Sequence, residues 1–465
     1  VGDTNGTALV TPAHFQPRPW GRIGTGFLIN NPRGMLVEDP GMGKTAQVYS
    51  ALDLLMLGGS SFFPALVIAP KRVAEVVWTT EAAKWDAFQH LRVVRLTGEI
   101  AERTLALQVP ADVYVINYDL VPWLVSQFTP ERWPFKIVIA DESSRLKGFR
   151  LSKGTVRAKS LSMIARYTGR WWNLTGTPTP NGLQDLWGQM WFVDFGQRLK
   201  RSYTAYLEAF FLQNPYSRKI TLQDGAEAEI NKLVSDRLVA VRAIDWLPLK
   251  KPQELFKDVQ MPERVKVQYK KLEKETFLAL PDAEIDAGTA GVVSQKLLQF
   301  ASGSVYDADK RDHAVHEEKI EALKEIVEET GDEPLLIAYQ WVFDVPRILK
   351  AFPDFKQHTP ENELLFRKGK IKGLLLHWQS SFGLNLADNC RDVVAYSYKW
   401  SGELWQQMLD RTGPVRQFQL GKQVISRIWT IRTVGTIEQD VIDSNNGKIS
   451  VEQAFKRAQR RVLND

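Results

Sequence analysis

The stretch EDPGMGKT, Glu38 to Thr45, decides the fold. It follows the apolar run GMLVE, and apolar spacing predicts a helix over Thr45 to Leu57. Gly41 and Gly43 let the backbone turn tightly and point its N–H groups inward. The helix N-terminus behind them adds partial positive charge. In such a loop Lys44 reaches the β- and γ-phosphates of a nucleotide, and the Thr45 hydroxyl ligates Mg²⁺. An ordinary glycine turn would not need strand, loop, Gly-Lys-Thr and helix in that order. The motif specifies a nucleoside triphosphate but not the work its hydrolysis drives.

The same site needs an acid at the end of a second buried strand. KIVIADESS, Lys136 to Ser144, supplies it. Asp141 would hold Mg²⁺, mostly through water, as a hard cation prefers. Glu142 would orient and deprotonate the attacking water. An isolated Asp-Glu pair at a strand end is more often a helix cap; this pair gains weight from its place on a second strand of the same sheet. Short apolar runs such as ALVIAP, VYVINY and WWNLTGTP are further buried strands, with helical stretches between them such as Ala74 to Trp85. Alternation of this kind predicts an α/β layer around a parallel sheet.

From about Gly188 to Glu254 the pattern turns mostly helical and aromatic-rich. DWLPLKKP, Asp245 to Pro252, reads as a linker, and a second helical block covers about Pro262 to Phe300. Strand-like runs then return as PLLIAY, IKGLLLHW, DVVAYS and ISRIWTIR, predicting a second α/β unit. The expected division is 1–250 and 251–465. In the tail, Val451, Ala454, Phe455, Ala458 and Val462 share one helical face. Lys456, Arg457, Arg460 and Arg461 occupy the other, which reads as a solvated basic face or, less often, a nucleic-acid contact.

Composition sets outer bounds. The 465 residues are 44% hydrophobic and 25% charged, which excludes a disordered or collagen-like chain. No apolar run approaches the ~18 residues of a membrane span. VGDTNGTALV lacks the basic and apolar segments of a signal peptide. Cys390 is the single cysteine, so neither an internal disulfide nor a cysteine-built zinc site is possible. A reducing cytoplasm is the expected location. The net charge of +6 leans only weakly toward a polyanionic partner. NKLV, Asn231 to Val234, lacks the final acid of a guanine reader, which argues against a GTPase. A small-molecule kinase would not need the second α/β unit. His313, His316, His358 and His377 include one near-ligand spacing, HAVH, but no supporting context for a metal.

Read in order, these motifs resemble helicase superfamily two. More narrowly they resemble its switch/sucrose-non-fermenting (Snf-type) DNA-dependent ATPases, in a compact bacteriophage-like form. The resemblance runs from about residue 15 to 445. It covers the nucleotide loop, DESSRLK, APKRVAEVVWTTEAAKW (Ala69 to Trp85), VINYDL (Val115 to Leu120) and LTGTPTPNGLQDLWGQMWFVD (Leu174 to Asp194). In the second half it covers PLLIAYQWVFDVPRIL, the long segment Leu374 to Arg411, and VGTIEQDVI (Val434 to Ile442). It implies two RecA-like lobes with parallel sheets and short helical insertions between them, ATP with Mg²⁺ in the cleft, and double-stranded DNA across both lobes. Hydrolysis would step the lobes along duplex, typically without separating its strands. Lys71, Arg72, Asn117, Ser380 and Asn385 would contact DNA, with Gly383 beside them. Arg145 and Lys147 would either touch DNA or brace the acids. Thr175, Gly176 and Thr177 would couple hydrolysis to lobe motion. Arg411 and Arg416 would complete the site from the second lobe.

Two departures stand out. PRPWG, Pro17 to Gly21, keeps Arg18 and Trp20 of the family's adenine box, with Trp20 able to stack on a base. Gly21 stands where glutamine is expected. Either Gln16 substitutes or base selectivity is relaxed. Arg411 and Arg416 lie five apart where the family spaces its pair by three, so the second finger is Arg416 on a remodelled loop or is absent. The expectation is an ATP-dependent duplex DNA translocase, a monomer without membrane contact, with any targeting supplied by a protein partner or by DNA structure. A strand-separating helicase and a weakly hydrolysing ATP-gated scaffold are the alternatives.

Overall fold

A computed structural model describes residues 12–152, 154–180, 182–213, 220–278, 291–380, 384, 386–422 and 424–463. The chain divides into two compact units. One comprises 1–214 and 220–246; the other comprises 215–219 and 247–465.

The first unit is built on β1 (Arg33–Glu38), β2 (Ala65–Ala69), β3 (Val93–Arg95), β4 (Val113–Asn117), β5 (Ile137–Asp141) and β6 (Arg170–Thr175). A short antiparallel hairpin, β7 (Phe211–Gln213) and β8 (Ile220–Leu222), precedes β9 (Leu238–Val241). The sheet runs β3-β4-β2-β5-β6-β1-β9, and its paired strands are parallel. Its central strands β2, β4 and β5 are almost wholly apolar and buried because both faces are covered. Side chains alternate between two cores: Leu66, Ile68, Val138 and Ala140 enter one, and Val67, Ala69, Ile137 and Ile139 enter the other.

The second unit holds β10 (Gln253–Val259), a hairpin of β11 (Ser304–Tyr306) with β12 (Asp312–Ala314), then β13 (Leu335–Tyr339), β14 (Lys356–Gln357), β15 (Gly373–His377), β16 (Asp392–Ala395) and β17 (Arg427–Thr433). Its sheet is β10-β17-β16-β13-β15-β14, again parallel. Leu336 and Leu374 face one core; Ile337 and Leu375 face the other. The α/β class with two parallel sheets, expected from the strand-like runs, is what the chain adopts.

Several local expectations are corrected. Ala74 to Trp85 is not one α-helix: Val73–Val77 is a π-helix that passes into an α-helix at Trp78–Lys84. The mostly helical region after Gly188 contains β9, which extends the sheet beside β1. β10 was hidden by its charges, since QELFKDV is an edge strand with half its side chains in solvent. The tail helix, Val451–Leu463, buries its apolar face as expected, but its basic face is not simply solvated. Arg457 pairs with Asp440 and Asp443, and Arg461 pairs with Asp440 and Glu273. Of the HAVH histidines, exposed His313 pairs with Asp307. His316 is buried against the Phe300 carbonyl, and burial pulls its pKa down to about 4. The described residues contain no cluster of His, Cys, Asp or Glu suited to a metal, and no helix long and apolar enough to cross a membrane.

A fully buried ion pair holds the second unit together. Lys319 Nζ lies 2.5 Å from Glu438 Oε1 and also donates to the Tyr396 carbonyl. Glu438 in turn accepts the Thr433 N–H, so the pair ties a helix to the end of β17. Removing one partner leaves an uncompensated charge in a low-dielectric interior. Lys319→Met is therefore expected to cost about 3–5 kcal/mol in urea denaturation, and Lys319→Met with Glu438→Leu to recover much of it.

Candidate nucleotide site

The nucleotide loop joins β1 to the helix Lys44–Leu57. Gly41 and Gly43 have φ of 87° and 92°, a conformation nearly closed to other residues. A Cβ on Gly43 would meet only open space, so the glycine is required by backbone angle rather than by crowding. Lys44 Nζ donates to the Glu38 carbonyl at 2.6 Å and to the Asp39 carbonyl at 3.3 Å. The ammonium thus lies folded onto its own loop, where phosphate oxygens would compete for it. Thr45 occupies the first turn of the same helix.

Asp141 ends β5, two strands from β1 across β6. It is buried, and burial raises its pKa, opposed by the Trp78 indole N–H and the positive charge of Lys44. Trp78 Nε1 donates to Asp141 Oδ2 at 2.9 Å, and the Tyr118 hydroxyl donates to the Asp141 carbonyl at 2.9 Å. These two aromatics position the acid, a role not foreseen from the sequence. Trp78 follows the π-helix, whose extra residue per turn re-aims what comes next. Glu142 adopts the left-handed region, φ 53°, and its N–H donates to Asp141 Oδ1. Such a conformation in a non-glycine residue stores strain that the surroundings must hold.

The Thr175–Gly176–Thr177 turn leaves β6 beside the loop. Thr175 Oγ1 accepts the Thr177 N–H at 3.1 Å. A Cβ on Gly176 would fall 3.3 Å from Pro40 Cδ and 3.4 Å from the Glu38 carbonyl, so this turn packs directly on the nucleotide loop. The loop, the acid pair and this turn all sit at the C-terminal ends of parallel strands, the edge where open α/β sheets bind ligands.

Other expected residues fall differently. Trp20 is only 6% exposed and its indole N–H donates to the Met42 carbonyl at 2.9 Å. It braces the loop from beneath, with Arg18 over its ring, and cannot offer a face to a base. The neighbouring Trp246, 41% exposed, lies 6.4 Å away ring to ring. Gly21 faces the Gln47 side chain, and a Cβ on Gly24 would fall 1.9 Å from Gln47 Oε1. Gln47, rather than Gln16, fills the space beside Gly21.

Lys71 is exposed and Arg72 partly so, where β2 gives way to the π-helix. Asn117 is buried, and its Oδ1 accepts the N–H groups of Asp119 and Leu120. That oxygen caps the turn that follows β4. Lys147 lies 3.9 Å from Asp185, and the Arg145 guanidinium lies over the ring of Tyr118, the residue that donates to the Asp141 carbonyl. Ser380 is exposed at the end of a 3₁₀ turn; Gly383 and Asn385 lie outside the described residues. Arg411 is 6% exposed and donates to the Gln407 and Leu384 carbonyls at 2.7 and 2.9 Å. In this structure it braces the second unit from inside. Arg416, on the short helix Pro414–Gln419, is half-buried and donates to the Asp410 carbonyl.

A glycine loop, a helix and a strand-end acid on a parallel sheet define a P-loop ATPase. The SNF2-related domain family matches residues 27–300, more than half of the chain. The chain belongs to that family, as its motifs suggested, and is an ATP-hydrolysing, helicase-like enzyme. It is similar to protein p41 of the Acyrthosiphon pisum secondary endosymbiont phage 1, at 40% identity over 96% of this chain and 99% of that protein. "Probable ATP-dependent DNA helicase CHR12" of Arabidopsis thaliana is 24% identical over 91% of this chain, which spans 40% of that longer protein. The solved "Sulfolobus solfataricus SWI2/SNF2 ATPase core in complex with dsDNA" aligns over 98% of this chain and 97% of that one, with 19% identity and a TM-score of 0.45.

Beneath the loop, Glu38 is 1% exposed, and Gln47 Nε2 donates to its Oε2 at 2.8 Å. Burial raises its pKa from 4.5 to about 7, with Lys44 opposing. Below about pH 4.5 folded and unfolded chains both hold this proton; between there and 7 only the folded chain does. Stability therefore falls as pH rises through that window. Glu38→Gln is expected to match the wild type at pH 4 and to exceed it by roughly 2–3 kcal/mol at pH 8 in chemical denaturation. Equal stability at both pH values would show that the carboxyl stays ionised.

Proposed function

We propose that this SNF2-related ATPase is an ATP-dependent double-stranded DNA translocase. The observation that carries the reading is the convergence of Lys44, Asp141, Glu142 and Thr175–Thr177 on one sheet edge in a chain of this family. The N–H groups around Gly41 and Gly43 cradle the phosphates, and Lys44 turns from its loop carbonyls to the γ-phosphate. The donor set fits Mg²⁺: a threonine hydroxyl and a carboxylate whose oxygens each keep lone pairs beyond one hydrogen bond. Bound there, the ion would neutralise developing phosphate charge. Glu142 accepts a proton from the attacking water, and Thr175–Thr177 senses the loop through Gly176.

DNA as the track is supported by the name of the plant relative and by Lys71 and Arg72 at the functional edge. Contacts of this kind hold phosphates and carry no sequence information, so affinity should fall steeply with salt.

ATP turnover should rise with duplex more than with single-stranded DNA. Glu142→Gln should lose about 10²-fold or more in kcat while still binding ATP. Displacement of a triplex strand without unwinding of a forked duplex is the outcome expected of a translocase; unwinding of the fork would make it a strand-separating helicase. Turnover by Glu142→Gln at the wild-type rate would overturn the active-site assignment.

The two arginines separate by phenotype. Arg416→Ala should lower kcat by about 10³-fold with little change in Tm, if it is the finger. Arg411→Ala should instead lower Tm, because two buried carbonyls lose their donor.

A further inference from the structure

One buried side chain joins the acid turn to the loop after β6. Gln189 lies in the helix Leu186–Asp194 and is fully buried. Its Oε1 accepts from the Ser143 hydroxyl at 2.9 Å. Its Nε2 donates to the Pro178 carbonyl at 2.5 Å and to the Asp185 carbonyl at 3.1 Å. Its own carbonyl accepts from Asn173 Nδ2 at 2.8 Å, within β6.

The partners fix which way the amide faces. Two backbone carbonyls can only accept, so the nitrogen must point at them and the oxygen at the hydroxyl. Glutamate would turn an acceptor on both carbonyls. Methionine would fill the volume but take the acceptor from the Ser143 hydroxyl and the donor from the Pro178 carbonyl. Asparagine is shorter by one methylene.

The neighbouring residue makes the reach possible. A Cβ on Gly188 would fall 2.6 Å from the Leu146 carbonyl and 2.7 Å from that of Lys147. The helix therefore meets the Ser143–Leu146 turn backbone to backbone. That turn follows Glu142, whose left-handed conformation persists only where the surroundings over-determine it.

We propose that Gln189 is a positioning residue for ATP hydrolysis, clamping the Glu142–Ser143 turn to the Thr175–Pro178 loop so that the two keep one geometry. The inference rests on the ATPase reading above. A displacement of the loop at Pro178 reaches the residue beside Glu142 through two short buried bonds. Gln189 touches neither nucleotide nor water; it acts through Ser143 and Pro178.

The test is a double-mutant cycle on the full chain with duplex DNA, using Ser143→Ala, Gln189→Met and their combination. Read out are kcat, the KM for ATP, the affinity for a fluorescent ATP analogue, and Tm. Each single variant should lower kcat about 10-fold, as small misplacements of reacting groups do, while KM and analogue affinity stay within about twofold. The double variant should be no slower than Gln189→Met, because both remove the same link. Wild-type kcat in a folded Ser143→Ala, or a change confined to KM, would overturn the proposal. Ser143→Ala loses one hydroxyl and decides the matter alone if Gln189→Met does not fold. A wild-type chain without ATP turnover would instead sink the ATPase reading, and Glu142→Gln is the control that separates the two failures.

Discussion

A parallel sheet covered on both faces leaves polar chemistry one outlet, the C-terminal ends of its strands. Backbone hydrogen bonds are spent along β1, β5 and β6, and the side chains between are apolar. Only where strands stop can N–H groups, carboxylates and hydroxyls converge with water or a ligand. The nucleotide loop, Asp141 and Thr175 are at these ends because nothing else in the layer can hold them.

The same burial sets the electrostatics. Glu38 and Asp141 both have raised pKa values, and in both cases loss of water is the first cause. Their surroundings then diverge. Asp141 receives an indole N–H and a backbone N–H, which favour its charged form. Glu38 receives one amide N–H from Gln47, while its Oε1 and the Gln47 Oε1 stay without a hydrogen-bond partner. A carboxyl that keeps its proton could serve that second oxygen pair; one that has lost it could not. Burial thus pushes both acids in the same direction, and they differ in the donors that oppose it.

Much of this was legible in the sequence. Runs such as ALVIA and LLIAY are strands because burial on both faces permits no alternation, and the glycine–lysine–threonine order needed no packing to be read. What escaped was set by tertiary contacts. β9 and β10 lie at sheet edges; β9 is only four residues long, and half-exposed β10 loses the apolar signature. Trp20 carries the residue type of a base platform, but a hydrogen bond to Met42 commits it inward. Asn117 sits in a motif associated with strand contact, and its side-chain oxygen is taken by the turn it caps. For both residues the type was informative and the orientation was not, because orientation depends on which hydrogen-bond partner the folded chain supplies, whether 22 residues away for Trp20 or two to three for Asn117.

Charge follows the same rule. A net +6 invites the idea of a basic track, but many of the cations are committed within the protein. Arg33 donates to the carbonyls of Phe192, Ala165 and Thr168. Arg427 is paired with Asp392, Arg432 with Asp258, and Arg461 with Asp440 and Glu273. Most of these groups satisfy buried oxygens, and all of them are already engaged within the protein. A polyanion would meet the exposed remainder, such as Lys71 at the functional edge and Arg460 on the tail helix. The sum of charges therefore says little about binding. The location of the cations whose neighbours leave them in solvent says more, and Lys71, at the same edge as the nucleotide loop, is where a phosphate backbone and the hydrolysis site would share one sheet.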